Sequence, residues 1–213
     1  MKRTRLLPAL LGLIMPCCLH AAPPAGDANM NAFVNDLMNR MTLAEKIGQL
    51  NLLSEGFTVT GPRLSKDVES QIQHGLVGGV FNVYTPVAVR KLQSLAVHQS
   101  RMGIPLLFGF DVIHGHKTIF PIPLGLSCTW NPEAIERSAR IAATETTADG
   151  VNWTFSPMVD ICRDPRWGRI AEGAGEDPYL GAQIARAMVR GYQGDDLSQS
   201  NALIACVKHF ALY

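Results

Sequence analysis

The chain is short of cysteine, of charge of either sign and of long apolar runs, and each shortage excludes a class of protein. Its five cysteines include no CxxC pair, so the common zinc and redox motifs are absent. The formal net charge is +1, which predicts neither a nucleic-acid partner nor a membrane-surface partner. The N-terminal apolar run, Leu6 to Leu19, is interrupted by Pro8 and Pro16. It is shorter than the roughly 20 residues that cross a bilayer. No GxGxxG or GxxxxGK[ST] loop occurs, which argues against a nucleotide-binding sheet. GxSxG and HExxH are missing as well, so neither a nucleophile elbow nor a zincin helix is indicated.

What is present begins with an export signal. Lys2, Arg3 and Arg5 precede the apolar run, and Leu19-His20-Ala21 closes it ahead of Ala22-Pro23-Pro24. This pattern reads as a signal peptide over residues 1–21, cut near Ala21, and predicts a soluble exported product with no membrane contact after cleavage. A buried N-terminal helix is the alternative. Cleavage leaves 16 basic residues against 18 acidic ones, and three cysteines, Cys128, Cys162 and Cys206. An odd number cannot close into a full disulfide framework, so these read as small buried hydrophobes. Residues 22–30, rich in Pro, Gly and Ala, read as an extended leader.

From residue 31 on, helix and strand signals alternate. Phe33, Leu37, Met38 and Met41 fall at helical spacing. Thr42 and Glu45 form a capping box for a helix through Leu50. A helix is expected from Leu64 to His74, with Ser65 as its N-cap and Gly75 past its end. Thr85-Pro86, Asn131-Pro132 and Asp177-Pro178 each place a capping side chain before a proline, the signature of a helix start. Between the helices lie apolar runs at Leu76–Val83, Pro105–Asp111, Asn152–Val159 and Ala202–Val207. Strands that are apolar throughout are buried on both faces, as in a parallel sheet, and their alternation with helices indicates βαβ units. Polar residues stand at the strand ends: Asn82, Asp111, Asp160 and Lys208-His209. Strand C-termini carry the active site of a (β/α)8 barrel. The expected fold is therefore α/β, a partial (β/α)8 TIM-like barrel truncated after about four strands.

Three segments could carry chemistry. Arg163-Asp164-Pro165-Arg166-Trp167-Gly168-Arg169 concentrates arginine forks beside an indole. Arginine binds hydroxyl pairs or anions with fixed geometry, and tryptophan offers a flat face to a sugar ring. A solvated basic loop, or an internal Arg–Asp pair that only shapes the loop, fits the same residues. Asp111-Val112-Ile113-His114-Gly115-His116 offers a carboxylate for a sugar diol. Its HxH pair is either a start on a metal site or a structural pair, and no further ligand is spaced to complete a metal shell. Lys208-His209 suits hydroxyl or anion binding, or is a surface pair. Glu172, Glu176 and Asp177 read as carboxylates at a helix N-terminus.

Seven segments taken in order resemble glycoside hydrolase family 3, of the periplasmic β-glucosidase type. They are Met41 to Leu50, Asp111 to Gly115, Phe120 to Gly125, Ser156 to Asp160, Arg163 to Arg169, Glu176 to Leu180 and Lys208 to Ala211. The resemblance implies that residues 31–213 are the N-terminal part of the family's barrel domain. It implies retaining hydrolysis of terminal β-D-glucosyl residues, with β-glucosides or cello-oligosaccharides as substrates, no cofactor and a periplasmic location. By motif, Asp111, Arg169, Lys208 and His209 are the implied substrate-binding residues, while Arg163 and Arg166 organise their loop. The family's nucleophile aspartate and acid/base glutamate are expected beyond Tyr213, and retaining chemistry needs both, about 5–5.5 Å apart. The chain alone is therefore expected to be inactive. A β-xylosidase of the same family and a non-catalytic sugar-binding fragment are the competing readings.

Overall fold

The computed structural model describes residues 28–55 and 67–210. The chain divides into two compact units, Met1–Arg40 and Met41–Tyr213. The described part of the first is helix α1 (Ala28–Arg40), which buries none of its residues and closes an i,i+4 ion pair between Asp36 and Arg40. Its start corrects one expectation: residues 28–30 are helical, not extended. Ala28 and Met30 favour a helix, and no proline lies between Pro24 and Arg40 to prevent one. The rest of the leader and the signal segment lie outside the described residues.

The second unit is a βαβ array. Among the described residues five strands, β1 (Leu52–Ser54), β2 (Gly79–Phe81), β3 (Leu107–Phe110), β4 (Trp153–Thr154) and β5 (Ile204–Ala205), form one parallel sheet in the order β1-β2-β3-β4-β5. The register runs Phe81↔Gly109↔Trp153↔Ile204. A doubly wound sheet reverses its strand order at a switch point. This sheet does not, so each strand is laid beside the one before it, as in a (β/α) barrel. Helices α3 (Val68–Gln73), α4 (Pro86–Gln99), α6 (Pro132–Ala148) and α7 (Pro178–Gln193) lie between successive strands. Two short helices, α2 (Leu43–Gly48) and α5 (Pro123–Ser127), complete the described helices.

Capping chemistry explains the helix starts. The Thr42–Glu45 capping box is closed in both directions ahead of α2. Thr85, Asn131 and Asp177 accept from the backbone N–H groups of Ala88, Ala134 and Leu180 at the starts of α4, α6 and α7. Helix α3 begins later than Leu64: Asp67 stands at its N-cap in the left-handed region, at φ 55, where a helix cannot run through it. Ser65 lies outside the described residues. The long apolar run at Asn152–Val159 yields only a two-residue strand, beyond which the Ser156 and Pro157 carbonyls still accept from Cys206 N and Lys208 N. Met158 then rejoins the sheet through a parallel bridge to Lys208. Strand β1 and helix α5 were not anticipated.

Two apolar clusters hold the layers together. One packs Val80, Phe108, Leu92 and Ile72 between the first strands and α3 and α4. The other packs Ile135, Ala142, Ile184, Met188 and Leu203 between β5, α6 and α7. Burying each such aliphatic side chain contributes about 1.5–3 kcal/mol. Gly191 lets α6 and α7 approach closely, since a Cβ there would lie 2.4 Å from the Glu136 carbonyl oxygen and 2.6 Å from Ala139 Cβ.

Candidate functional site

The strand C-termini open into a cleft of about 820 Å³. Leu52, Phe81 and Phe155 supply its apolar wall, and Asp111, Arg169, Glu172, Lys208 and His209 supply its charged groups. Phe155 can lie across β3 because residue 109 is glycine; a Cβ there would sit 2.6 Å from the end of the ring.

Asp111 is the first residue after β3, and Lys208 follows β5 by three positions. Their side chains meet across 97 residues of sequence, with Lys208 Nζ donating to Asp111 Oδ1 at 3.0 Å. The lysine side chain is 12% exposed and the aspartate 42%, so the cation is held by its partner while the carboxylate stays open to the cleft. Lys208 is positioned by its backbone: its N–H donates to Pro157 O at 3.0 Å, and its carbonyl accepts from Val159 N at 2.8 Å. The Ser156–Pro157 and Lys208–His209 peptide bonds are both cis.

Asp160 sets the next residue. Its Oδ2 accepts the His209 backbone N–H at 3.1 Å and lies 2.9 Å from His209 Nδ1. A carboxylate at Nδ1 fixes the ring's proton there and with it the orientation of the imidazole. Arg169 stands at the start of a 3₁₀ turn, Ile170–Glu172, and forks onto Glu172, with Nε 2.5 Å from Oε1 and Nη2 2.6 Å from Oε2. The Arg169 hydrogen bonds hold the Glu172 carboxyl below the usual glutamate range, ahead of an opposing effect of burial.

The cleft therefore gathers all four predicted binding residues, Asp111, Arg169, Lys208 and His209. The other arginines behave differently. Arg166 turns back on its own loop and pairs with Asp164, its Nε 3.0 Å from Oδ1, and Arg163 is exposed. Trp167 is not part of the cleft lining. The HxH pair splits: His114 Nδ1 faces Phe120 O at 3.2 Å, and His116 Nε2 faces Asp149 Oδ2 at 2.8 Å. Among the described residues, no three His, Cys, Asp or Glu side chains converge as metal ligands. Asp177 caps α7 as expected. Glu172 does not belong with it, because it turns into the cleft as the partner of Arg169. Its signal was the i,i+3 spacing to Arg169, which a single turn converts into a fork. Asp160 was visible as a strand-end acid, but not as the partner of His209.

Chemically, the site alternates anionic acceptors with cationic donors on one rim beside an aromatic wall. Such a rim suits a neutral polyol, whose vicinal hydroxyls donate to Asp111 and accept from Lys208 and Arg169.

The profile described as "Glycosyl hydrolase family 3 N terminal domain" matches residues 42–213. A periplasmic β-glucosidase of Salmonella typhimurium is 44% identical over 184 residues, covering 86% of this chain and 23% of that protein. A lysosomal β-glucosidase of Dictyostelium discoideum is 31% identical over 213 residues, covering 86% of this chain and 26% of its own length. The crystal structure of a β-glucosidase from Listeria innocua in complex with isofagomine superposes with a TM-score of 0.77 at 44% identity, over 84% of this chain and 25% of that one. The chain thus spans about a quarter of the length of these relatives. With that match over most of its length and with its sequentially wound parallel sheet, the chain belongs to glycosyl hydrolase family 3.

Proposed function

We propose that this chain supplies the sugar-binding half of a β-glucosidase active site, in a protein that releases terminal non-reducing β-D-glucosyl residues with retention. The observation that carries this reading is the Asp111–Lys208 pair at the strand tips, flanked by Arg169 and His209 in one cleft. Asp111, Arg169, Lys208 and His209 are assigned to the hydroxyls of the sugar at the cleavage point. The substrates are β-glucosides or cello-oligosaccharides, and residues 31–213 act as part of one barrel domain. The relative named as periplasmic, together with the basic and apolar pattern of residues 1–21, supports export to the periplasm.

Both acids that line the cleft are engaged by cations, Asp111 by Lys208 and Glu172 by Arg169, and Asp160 is engaged by His209. A general acid needs a raised pKa, and Glu172 is shifted the opposite way. We therefore assign the nucleophile and the acid/base to residues other than these. The test compares the 213-residue chain with a protein extended to the length of its relatives, on aryl β-D-glucoside and aryl β-D-xyloside, with the anomer of the product read by NMR. The longer protein is expected to favour the glucoside and retain configuration, and the short chain to be inactive. Turnover by the short chain after contamination controls would put a catalytic carboxylate within it. Failure of the longer protein on both substrates would sink the glycosidase reading, and preference for the xyloside would transfer it to a β-xylosidase.

A further inference from the structure

Behind the cleft, and outside its lining, a buried tyrosine ties two of the sugar-binding strand tips together. Val112, the residue after Asp111, is fully buried, and both of its peptide groups are held by side-chain hydroxyls. Its N–H donates to Thr154 Oγ1 at 3.1 Å, and its carbonyl accepts from the Tyr192 hydroxyl at 2.5 Å. Tyr192 comes from the last turn of α7, 80 residues away in sequence. The Tyr192 oxygen also lies 3.0 Å from Ser156 Oγ. A phenol has one proton, and here it goes to Val112, so Ser156 is the donor in the second bond. Burial pushes the Tyr192 pKa up to about 12, so it remains a donor across the working pH range. Ser156 in turn accepts the Cys206 N–H through its carbonyl at 3.1 Å, two residues before Lys208.

We propose that Tyr192 is a positioning residue for sugar recognition: its hydroxyl joins the peptide that carries Asp111 to the β4–β5 edge that carries Lys208, and so sets the spacing of the two charges. The proposal rests on the sugar-binding role given above to Asp111 and Lys208. Tyr192 touches no substrate. Its part is to keep two polar ends of different strands in one register, a task suited to hydrogen bonds, which are directional, where apolar burial is not. A phenylalanine at 192 keeps the ring and its packing but leaves the Val112 carbonyl and the Ser156 hydroxyl without that partner.

The test uses the protein extended to the length of its relatives. Tyr192→Phe is expected to raise KM for an aryl β-glucoside about tenfold, with kcat changed less, the size expected for one displaced charge-assisted contact. Thr146→Val removes another fully buried hydroxyl, the one that bonds Ala142 O within α6. It is expected to lower Tm comparably while leaving KM within twofold. In a double-mutant cycle, Tyr192→Phe should add little in an Asp111→Asn background, because it acts through that residue. Full additivity, or an unchanged KM in Tyr192→Phe, overturns the proposal. If the parent protein hydrolyses no β-glucoside, the functional reading has failed, and amide exchange still decides the positioning. Faster exchange at Val112 and Lys208 together in the variant supports it, and faster exchange confined to α7 overturns it.

Discussion

Lys208 keeps its ammonium largely out of water because Asp111 stands 3.0 Å away, and the two groups differ in what they lose when separated. Asp111 is the more exposed partner and can rehydrate, so removing the lysine costs little stability, on the order of 1 kcal/mol or less. In the proposed sugar-binding role its contribution is larger, since a charge-assisted hydrogen bond to a buried hydroxyl is worth about 1.5–3 kcal/mol. Lys208→Met keeps the length of the stem. It should lower kcat/KM roughly 10- to 100-fold in the extended protein with Tm nearly unchanged, as checked by steady-state kinetics beside a thermal melt. Equal kcat/KM would remove Lys208 from the site. The sequence marks three of the four proposed binding residues, Asp111, Lys208 and His209, as polar groups beyond the ends of apolar runs, and Arg169 is singled out only by the resemblance of its motif to the family's. Glu172 was misplaced because its role depends on the 3₁₀ turn that folds it back on Arg169. Tyr192 was not legible at all. In an amphipathic helix a tyrosine on the apolar face reads as core, and nothing local to it marks a carbonyl 80 residues upstream.

At the scale of elements, helix starts were the most readable feature and strands the least. Thr85-Pro86, Asn131-Pro132 and Asp177-Pro178 each combine a capping oxygen with a proline that needs no N–H partner, and all three helices begin there. A strand of two or three residues has no period to read. β1 is Leu52–Ser54, with its two leucines partly exposed, and its place is decided by its pairing with β2, not by its own composition. The α6–α7 contact illustrates how tertiary packing overrides propensity. In an exposed helix, Gly→Ala stabilises by about 1 kcal/mol. At Gly191 the added methyl meets the Glu136 carbonyl and Ala139 at less than van der Waals distance. Gly191→Ala is therefore expected to lower stability, by about 1–3 kcal/mol, in chemical denaturation. A gain in stability would show that the two helices can separate without cost.

For the whole molecule, one long-range tie predicts a pH dependence. Glu45 in α2 is gripped by Arg101, which follows α4, with Nε 2.9 Å from Oε1, and it also accepts the Thr42 backbone N–H at 2.8 Å. Arg101 first, and then Thr42, lower its pKa from 4.5 to about 2. A depressed carboxylate pKa means that the unfolded chain binds the proton more readily. The stabilisation is complete above about pH 4.5 and is lost as pH falls towards 2. Tm should fall across that window, and Glu45→Gln should have a lower Tm at neutral pH with a flatter acid limb; an unaltered slope would exclude Glu45 as the source. The order of the strands carries a different consequence, for how the molecule is made. Because the sheet is wound β1 through β5 without reversal, each strand leaving the ribosome finds its neighbour already present. The scaffold can grow by short loop closures, whereas the Asp111–Lys208 contact closes 97 residues at once. Until β5 has docked, the nascent chain has a sheet but no Asp111–Lys208 pair, so the charged rim of the cleft is assembled after the scaffold that carries it.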